Sequence, residues 1–121
     1  MEIMYACGVT VYDLSHIGHA RQAIVYAMIA DYLRFRGYNV KYVRNYTDVD
    51  DKIIQEAIKE SSSEKEITTK YIAAYEALRE AMNAPLPDVT PKVTVYMDKI
   101  IDFIAKLVEN GYAYAIDGDV Y

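Results

Sequence analysis

The stretch that decides the fold is IMYACG at residues 3–8, followed by IGHARQAIVYAMIADYLRFRG at 17–37 and NVKYVRN at 39–45. Residues Ile3 to Cys7 are apolar throughout and end in Gly8, the pattern of a strand buried on both faces. A polar, turn-like segment runs from Thr10 to Ser15. From Ile17 to Arg36 the apolar residues recur at helical spacing. Ala20, Ile24, Ala27, Met28 and Leu33 form one stripe, and Ala23, Val25, Ile29 and Ala30 widen it until little of the middle is polar. Such a helix is expected to be buried on most sides. Gly37 stands where a left-handed cap closes a helix. Asn39 to Asn45, with Val40, Tyr42 and Val43, reads as a second strand. Strand, long helix, strand is a βαβ unit, whose two strands lie parallel. The expectation is an α/β domain of the nucleotide-binding type.

Beyond this unit the pattern is mainly helical. Asp51 to Lys59 leads into a polar gap at Glu60 to Lys65, where Ser61-Ser62-Ser63 is expected to be a flexible loop. Ile67 to Met82 places Tyr71, Ala74, Tyr75, Leu78 and Met82 at helical spacing. Pro85, Pro87 and Pro91, all the prolines of the chain, forbid a continuous helix through the next segment. Thr90 is expected to cap a further helix with Pro91 at its first position. That helix runs to Asn110 with Met97, Ile100, Ile101, Ile104 and Leu107 inward, and Gly111 ends it. Tyr112 to Ile116 then reads as a strand, Asp117-Gly118 as a two-residue hairpin turn, and Asp119-Val120-Tyr121 as a short return. So short a return strand is expected to continue in the natural protein, which makes residues 1–121 a portion of something longer.

Composition narrows the class. Of 121 residues, 53% are hydrophobic and 26% charged, proportions that exclude a disordered tail. No apolar run reaches the roughly 18 residues of a membrane span, and none reads as a signal peptide. The lone cysteine excludes a disulfide scaffold and fits a reducing cytoplasm. A formal charge of −5 argues against a small sequence-independent nucleic-acid binder, which would carry a basic face. The 13 tyrosines are read as amphipathic packing residues.

In an open parallel sheet, ligands bind outside the carboxyl ends of the strands. Three separated pieces are therefore expected to converge: Cys7, the His16-Ile17-Gly18-His19 turn, and Thr47-Asp48. His16 and His19 are the only histidines, and they sit at a helix N-terminus, where free N–H groups and the dipole favour an anion. Two imidazoles there can donate to phosphate oxygens, with Gly18 leaving room for a flat ring. They can equally well serve one as the helix cap and the other as a surface side chain. Cys7 fits either a small buried hydrophobe or a thiol that handles a metal or ligand. Thr47-Asp48-Val49-Asp50-Asp51-Lys52 places three carboxylates in four residues. Asp50 and Asp51 suit a helix cap and acidic first turn, or alternatively a Mg²⁺ ion or a ligand ammonium group, while Thr47 and Asp48 suit ligand contact.

With these residues in place, Cys7-Gly8-Val9-Thr10-Val11-Tyr12-Asp13 followed by His16-Ile17-Gly18-His19-Ala20-Arg21 resembles the opening signature of the cysteinyl-tRNA synthetases. Tyr42-Val43-Arg44-Asn45 with Thr47-Asp48-Val49-Asp50-Asp51-Lys52 is similar to that family's second block. A softer likeness extends through Ala84-Pro85-Leu86-Pro87-Asp88 and Gly111-Tyr112-Ala113-Tyr114 to Gly118-Asp119-Val120-Tyr121. The resemblance implies an α/β fold of the Rossmann-like, HUP-type class, with residues 1–121 as the N-terminal half of a class I catalytic domain: parallel strands, crossover helices and a helical extension. It implies an aminoacyl-tRNA ligase that uses ATP with Mg²⁺ to form cysteinyl-adenylate and passes cysteine to tRNA(Cys).

By the same resemblance, His16 and His19 are the catalytic residues, and Gly8, Thr10, His16, Gly18 and His19 bind ATP. Cys7, Thr47 and Asp48 bind the amino acid, Cys7 as the first ligand of a zinc ion that selects thiolate over hydroxyl. The family's remaining zinc ligands, its KMSKS loop and its anticodon-binding domain have no counterpart here, so residues 1–121 alone are expected to lack aminoacylation and tight zinc binding. A cytoplasmic monomer with no membrane association is expected. The alternatives are a cysteine ligase of the mycothiol pathway, a nucleotidyltransferase using HxGH alone, and a nucleotide-binding domain without turnover.

Overall fold

In the computed structural model, which describes residues 1–121, strand β1 (Glu2–Thr10) pairs in parallel with β2 (Val40–Thr47), and helix α1 (Ile17–Phe35) connects them. This is the expected βαβ unit. The register runs from Glu2 opposite Val40 to Ala6 opposite Arg44, then resumes with Val9 opposite Tyr46. One extra residue is thus accommodated at Cys7-Gly8, a bulge that resets the alternation of side chains. Ala6, Val9 and Val11 consequently all turn to the buried side, although they are not spaced evenly. Strand β1 therefore extends past Cys7, through the first residue of the expected turn, and it is buried on one face only. Ile3, Tyr5 and Cys7 lie on the exposed face.

Helix α1 meets the sheet through Ala20, Ala23, Ala27 and Ala30, a stripe at helical spacing whose short side chains permit close approach. Ile24, Met28 and Ile29 are exposed, so the helix is not buried on most sides as its composition suggested. Gly37 has φ +90°, the left-handed geometry expected of it after the helix end.

Helices α2 (Asp51–Glu60) and α3 (Glu64–Ala81) pack on each other and on the carboxyl ends of the strands. The main core joins Val9, Val11 and Tyr46 to Ile53, Ala57, Ile67, Tyr71, Ile72 and Tyr75. The serine segment between these helices is a tight double cap, not a flexible loop. Ser61 takes the left-handed position closing α2, and Ser63 opens α3 with a reciprocal bond to Glu66. As a result α3 begins at Glu64, ahead of the expected Ile67.

Thr90 and Pro91 do not start a helix. Residues 88–93 lie along β2 as an edge: the Arg44 N–H donates to Val89 O at 3.0 Å and the Tyr46 N–H to Pro91 O at 2.9 Å. Proline is admissible there because the edge needs only its carbonyl. A 3₁₀ turn (Thr94–Tyr96) then leads into α4 (Met97–Glu109). Met97, Ile100, Ile104 and Leu107 are half-buried and Ile101 is exposed, so no residue of α4 is fully inward. Gly111 follows α4 with φ +76°. Strands β3 (Ala115–Ile116) and β4 (Asp119–Val120) close a hairpin over Asp117-Gly118, both with positive φ. No helix is long and apolar enough to cross a membrane.

Candidate active site

The bulge in β1 and the start of α1 face each other across a cleft of about 530 Å³. Gly8 forms one wall. Its N–H donates to Asn45 Oδ1 at 2.9 Å, and a Cβ there would lie 1.5 Å from the Asn45 carbonyl oxygen, so the bulge accepts only glycine. Tyr5 donates its hydroxyl to the same Asn45 Oδ1 at 2.9 Å, fixing that amide.

The other wall is the N-terminus of α1. His16 is the N-cap, and its Nδ1 accepts from the Gly18 N–H at 3.0 Å. The His16 N–H in turn donates to His19 Nδ1 at 3.3 Å, which closes a capping box made of two histidines. The rings lie 4.1 Å apart, tilted by 30°. A Cβ on Gly18 would come within 2.9 Å of His16 Nδ1. Glycine between the histidines therefore first makes room for the folded-back His16 ring. With each Nδ1 accepting, a neutral imidazole carries its proton on Nε2 and presents it as a donor. Burial, then the neighbouring His16, then the Arg44 charge hold the His19 pKa below its ordinary value. His19 is a neutral donor at physiological pH. The two readings of the histidine pair are thus compatible, since both side chains cap the helix through Nδ1 and keep Nε2 for a ligand.

Gly8, Thr10, His16, Gly18 and His19 all line this cleft. Cys7, Thr47 and Asp48 do not. Cys7 is exposed on the opposite side of the bulge, and Thr47 is half-buried, its hydroxyl accepting from Asn45 Nδ2 at 3.3 Å. The Asp48 carboxylate accepts from both the N–H and the hydroxyl of Thr94, so it holds the turn that leads into α4. Asp50 caps α2 by accepting from the Lys52 N–H at 2.9 Å, with Asp51 in the first turn. The same cap aims Lys52 back over Tyr12, 5.4 Å from its ring centroid, and both residues line the cleft. Lys52, Tyr12 and Gln22 are cleft residues that sequence reasoning missed. Gln22 carried a signal, being one helical turn beyond His19. No group of three or more His, Cys, Asp or Glu side chains converges anywhere in the chain.

A sequence model of the tRNA synthetases class I (C) catalytic domain matches residues 2–121. The chain belongs to this family. Among curated relatives of the class I synthetase chain, the cysteine--tRNA ligase of Archaeoglobus fulgidus is 53% identical over 118 residues, which are 98% of this chain and 25% of that protein. The cysteine--tRNA ligase of Trichlorobacter lovleyi is 52% identical over 118 residues, 98% of this chain and 24% of that protein. The chain thus spans about a quarter of the length of these relatives. Its fold also matches Mycobacterium tuberculosis methionyl-tRNA synthetase in complex with methionyl-adenylate, with a TM-score of 0.80 and 19% identity, over 94% of this chain and 23% of that one. The expected Rossmann-like α/β class is therefore the fold of this synthetase chain.

Proposed function

We propose that this chain is the ATP-binding portion of a cysteine--tRNA ligase, which activates cysteine as cysteinyl-adenylate and transfers it to tRNA(Cys). The observation that carries the reading is the histidine capping box opposite the Gly8 bulge. It holds the two imidazole rings side by side through Nδ1, with both Nε2 atoms free, beside the N–H groups of a helix N-terminus. Such an array binds the triphosphate of ATP, which arrives with Mg²⁺, and offers donors to the charge that grows as the carboxylate attacks the α-phosphate and pyrophosphate leaves. Gly8 and Thr10 line the wall against which the nucleotide lies, and Lys52 adds a cation at its rim.

Cys7, Thr47 and Asp48 are proposed for the amino-acid side, away from the triphosphate. Cys7 would be one donor to a zinc ion, with its companions contributed by chain other than residues 1–121. Thr47 contacts the amino acid, and Asp48 maintains the backbone beside it through Thr94. The protein is proposed to act in the cytoplasm as a monomer.

The test is cysteine-dependent ATP–pyrophosphate exchange, measured with the chain extended to the full length of its relatives. The expected result is exchange with cysteine and little with serine, cut at least a hundredfold by His19→Ala. Exchange unchanged by that substitution would remove the phosphate role, and exchange indifferent to cysteine would remove the substrate.

A further inference from the structure

Arg44 lies beneath the floor of the cleft, 2% exposed, and takes part in none of the chain's ion pairs. Its guanidinium rests over the rings of Tyr26 and Tyr75, at 5.9 and 5.7 Å from their centroids. Nε and Nη1 have no acceptor, and Nη2 donates to Gln22 Oε1 at 2.7 Å. That single bond decides which way the Gln22 carboxamide faces. A guanidinium only donates, so the atom against it is the oxygen, and the amide –NH₂ is what Gln22 has left for the cleft it lines. A buried cation with unused donors is costly unless something nearby benefits from its field.

We propose that Gln22 is a ligand-contact residue donating its carboxamide N–H to a phosphate oxygen of the bound nucleotide, with Arg44 as the positioning residue that orients it. This rests on the nucleotide site proposed above and extends it by one contact. Phosphate is favoured over other acceptors because the surrounding groups are donors or cations: the two imidazole Nε2–H groups, Lys52, and the Arg44 charge below. Asp13 is the one carboxylate lining the cleft, and its Oδ1 already accepts from the Leu14 N–H at 2.6 Å. Gln22 follows His19 by one turn of α1, so the three side chains present donors in a row along the helix start.

The decisive variant is Gln22→Glu, which keeps the size of the side chain, gives Arg44 an ionised partner and replaces the donor with a negative oxygen. The chain is titrated calorimetrically with ATP, inorganic pyrophosphate and adenosine. The expected result is a melting temperature no lower than that of the wild type, affinity for ATP and pyrophosphate lower by about tenfold or more, and unchanged affinity for adenosine. Arg44→Lys keeps the charge but loses the fork, and should weaken ATP binding and broaden the Gln22 side-chain N–H₂ resonances. If that variant does not fold, Gln22→Glu decides alone. ATP bound equally by wild type and Gln22→Glu overturns this inference and leaves the nucleotide site standing. Equal losses for ATP and adenosine overturn the phosphate contact. A wild type that binds neither ATP nor pyrophosphate overturns the site and this contact together.

Discussion

Gly8 is where a single missing Cβ has the largest consequence. In Gly8→Ala the added carbon would meet a backbone oxygen 1.5 Å away, on a strand that cannot retreat without breaking the β1–β2 ladder. The expected cost is about 3 kcal/mol or more, a fall in melting temperature on the order of 10 °C, together with loss of ATP binding. A scanning-calorimetry trace matching the wild type would refute it. His19 gives a second residue-level prediction, with its sign set by burial. Because the folded pKa lies below the ordinary value near 6.5, the unfolded chain binds more protons between the two values. Stability should therefore rise with pH through that window and be lost as pH falls through it, where protonation also removes the Nδ1 acceptor of the capping box. His19→Gln should flatten this slope in melts between pH 7.5 and 5. A slope the substitution leaves intact would assign it to other groups. The placement of His16 and His19 together at a helix start beside the cleft was legible from spacing and topology. The capping box was not, because Glu or Gln is the usual third-position partner and a ring nitrogen accepting a backbone N–H depends on rotamers.

The elements show what periodicity transmits and what it omits. The βαβ unit was readable because apolar runs of strand and helix length were separated by Gly37, and the Asp117-Gly118 hairpin because its turn chemistry is local. The bulge was not readable, since Cys7-Gly8 owes its register to Asn45 on another strand. Residues 88–93 misled for a related reason: Thr-Pro is locally a helix start, but Asp88 accepts the Tyr42 N–H at 2.6 Å and Arg34 Nη2 at 2.7 Å, fastening the segment to β2. The serine segment shows the opposite error, a local signal taken as looseness. Ser63 and Ser62 surround the Glu66 carboxylate and hold its pKa below the ordinary range, chiefly through the Ser63 N–H. Ser63→Ala should cost about 1 kcal/mol in chemical denaturation. The Glu66 contribution is present above the ordinary carboxylate pKa and is lost as pH falls through the lowered one. An unchanged denaturation midpoint for Ser63→Ala would mean that the cap adds nothing to α3.

At the scale of the molecule, the apolar side chains that the structure leaves open on three elements have one cause. Strand β1 exposes Ile3 and Tyr5, α1 exposes Ile24, Met28 and Tyr32, and α4 exposes Ile101, Phe103 and Val108. The residue types are those of a core, and one layer of helices covers only one face of a sheet. The accessible surface is 8534 Å² for 13.8 kDa, against roughly 6,600 Å² for a compact monomer of that mass. The surplus, about 1,900 Å², exceeds the roughly 800 Å² that each partner contributes to a standard protein interface. Relatives about four times as long have the chain with which to supply such a cover. The 121-residue chain should therefore bind a hydrophobic dye such as ANS under native conditions, several-fold more per mole than the same residues extended to the relatives' length. In the same comparison only the extended protein should support cysteine-dependent ATP–pyrophosphate exchange, since residues 1–121 bring together the cleft donors but cover about a quarter of the relatives' length. Equal dye binding would show that these faces are not covered in the longer protein, and exchange by the 121 residues alone would show that the cleft suffices for the chemistry.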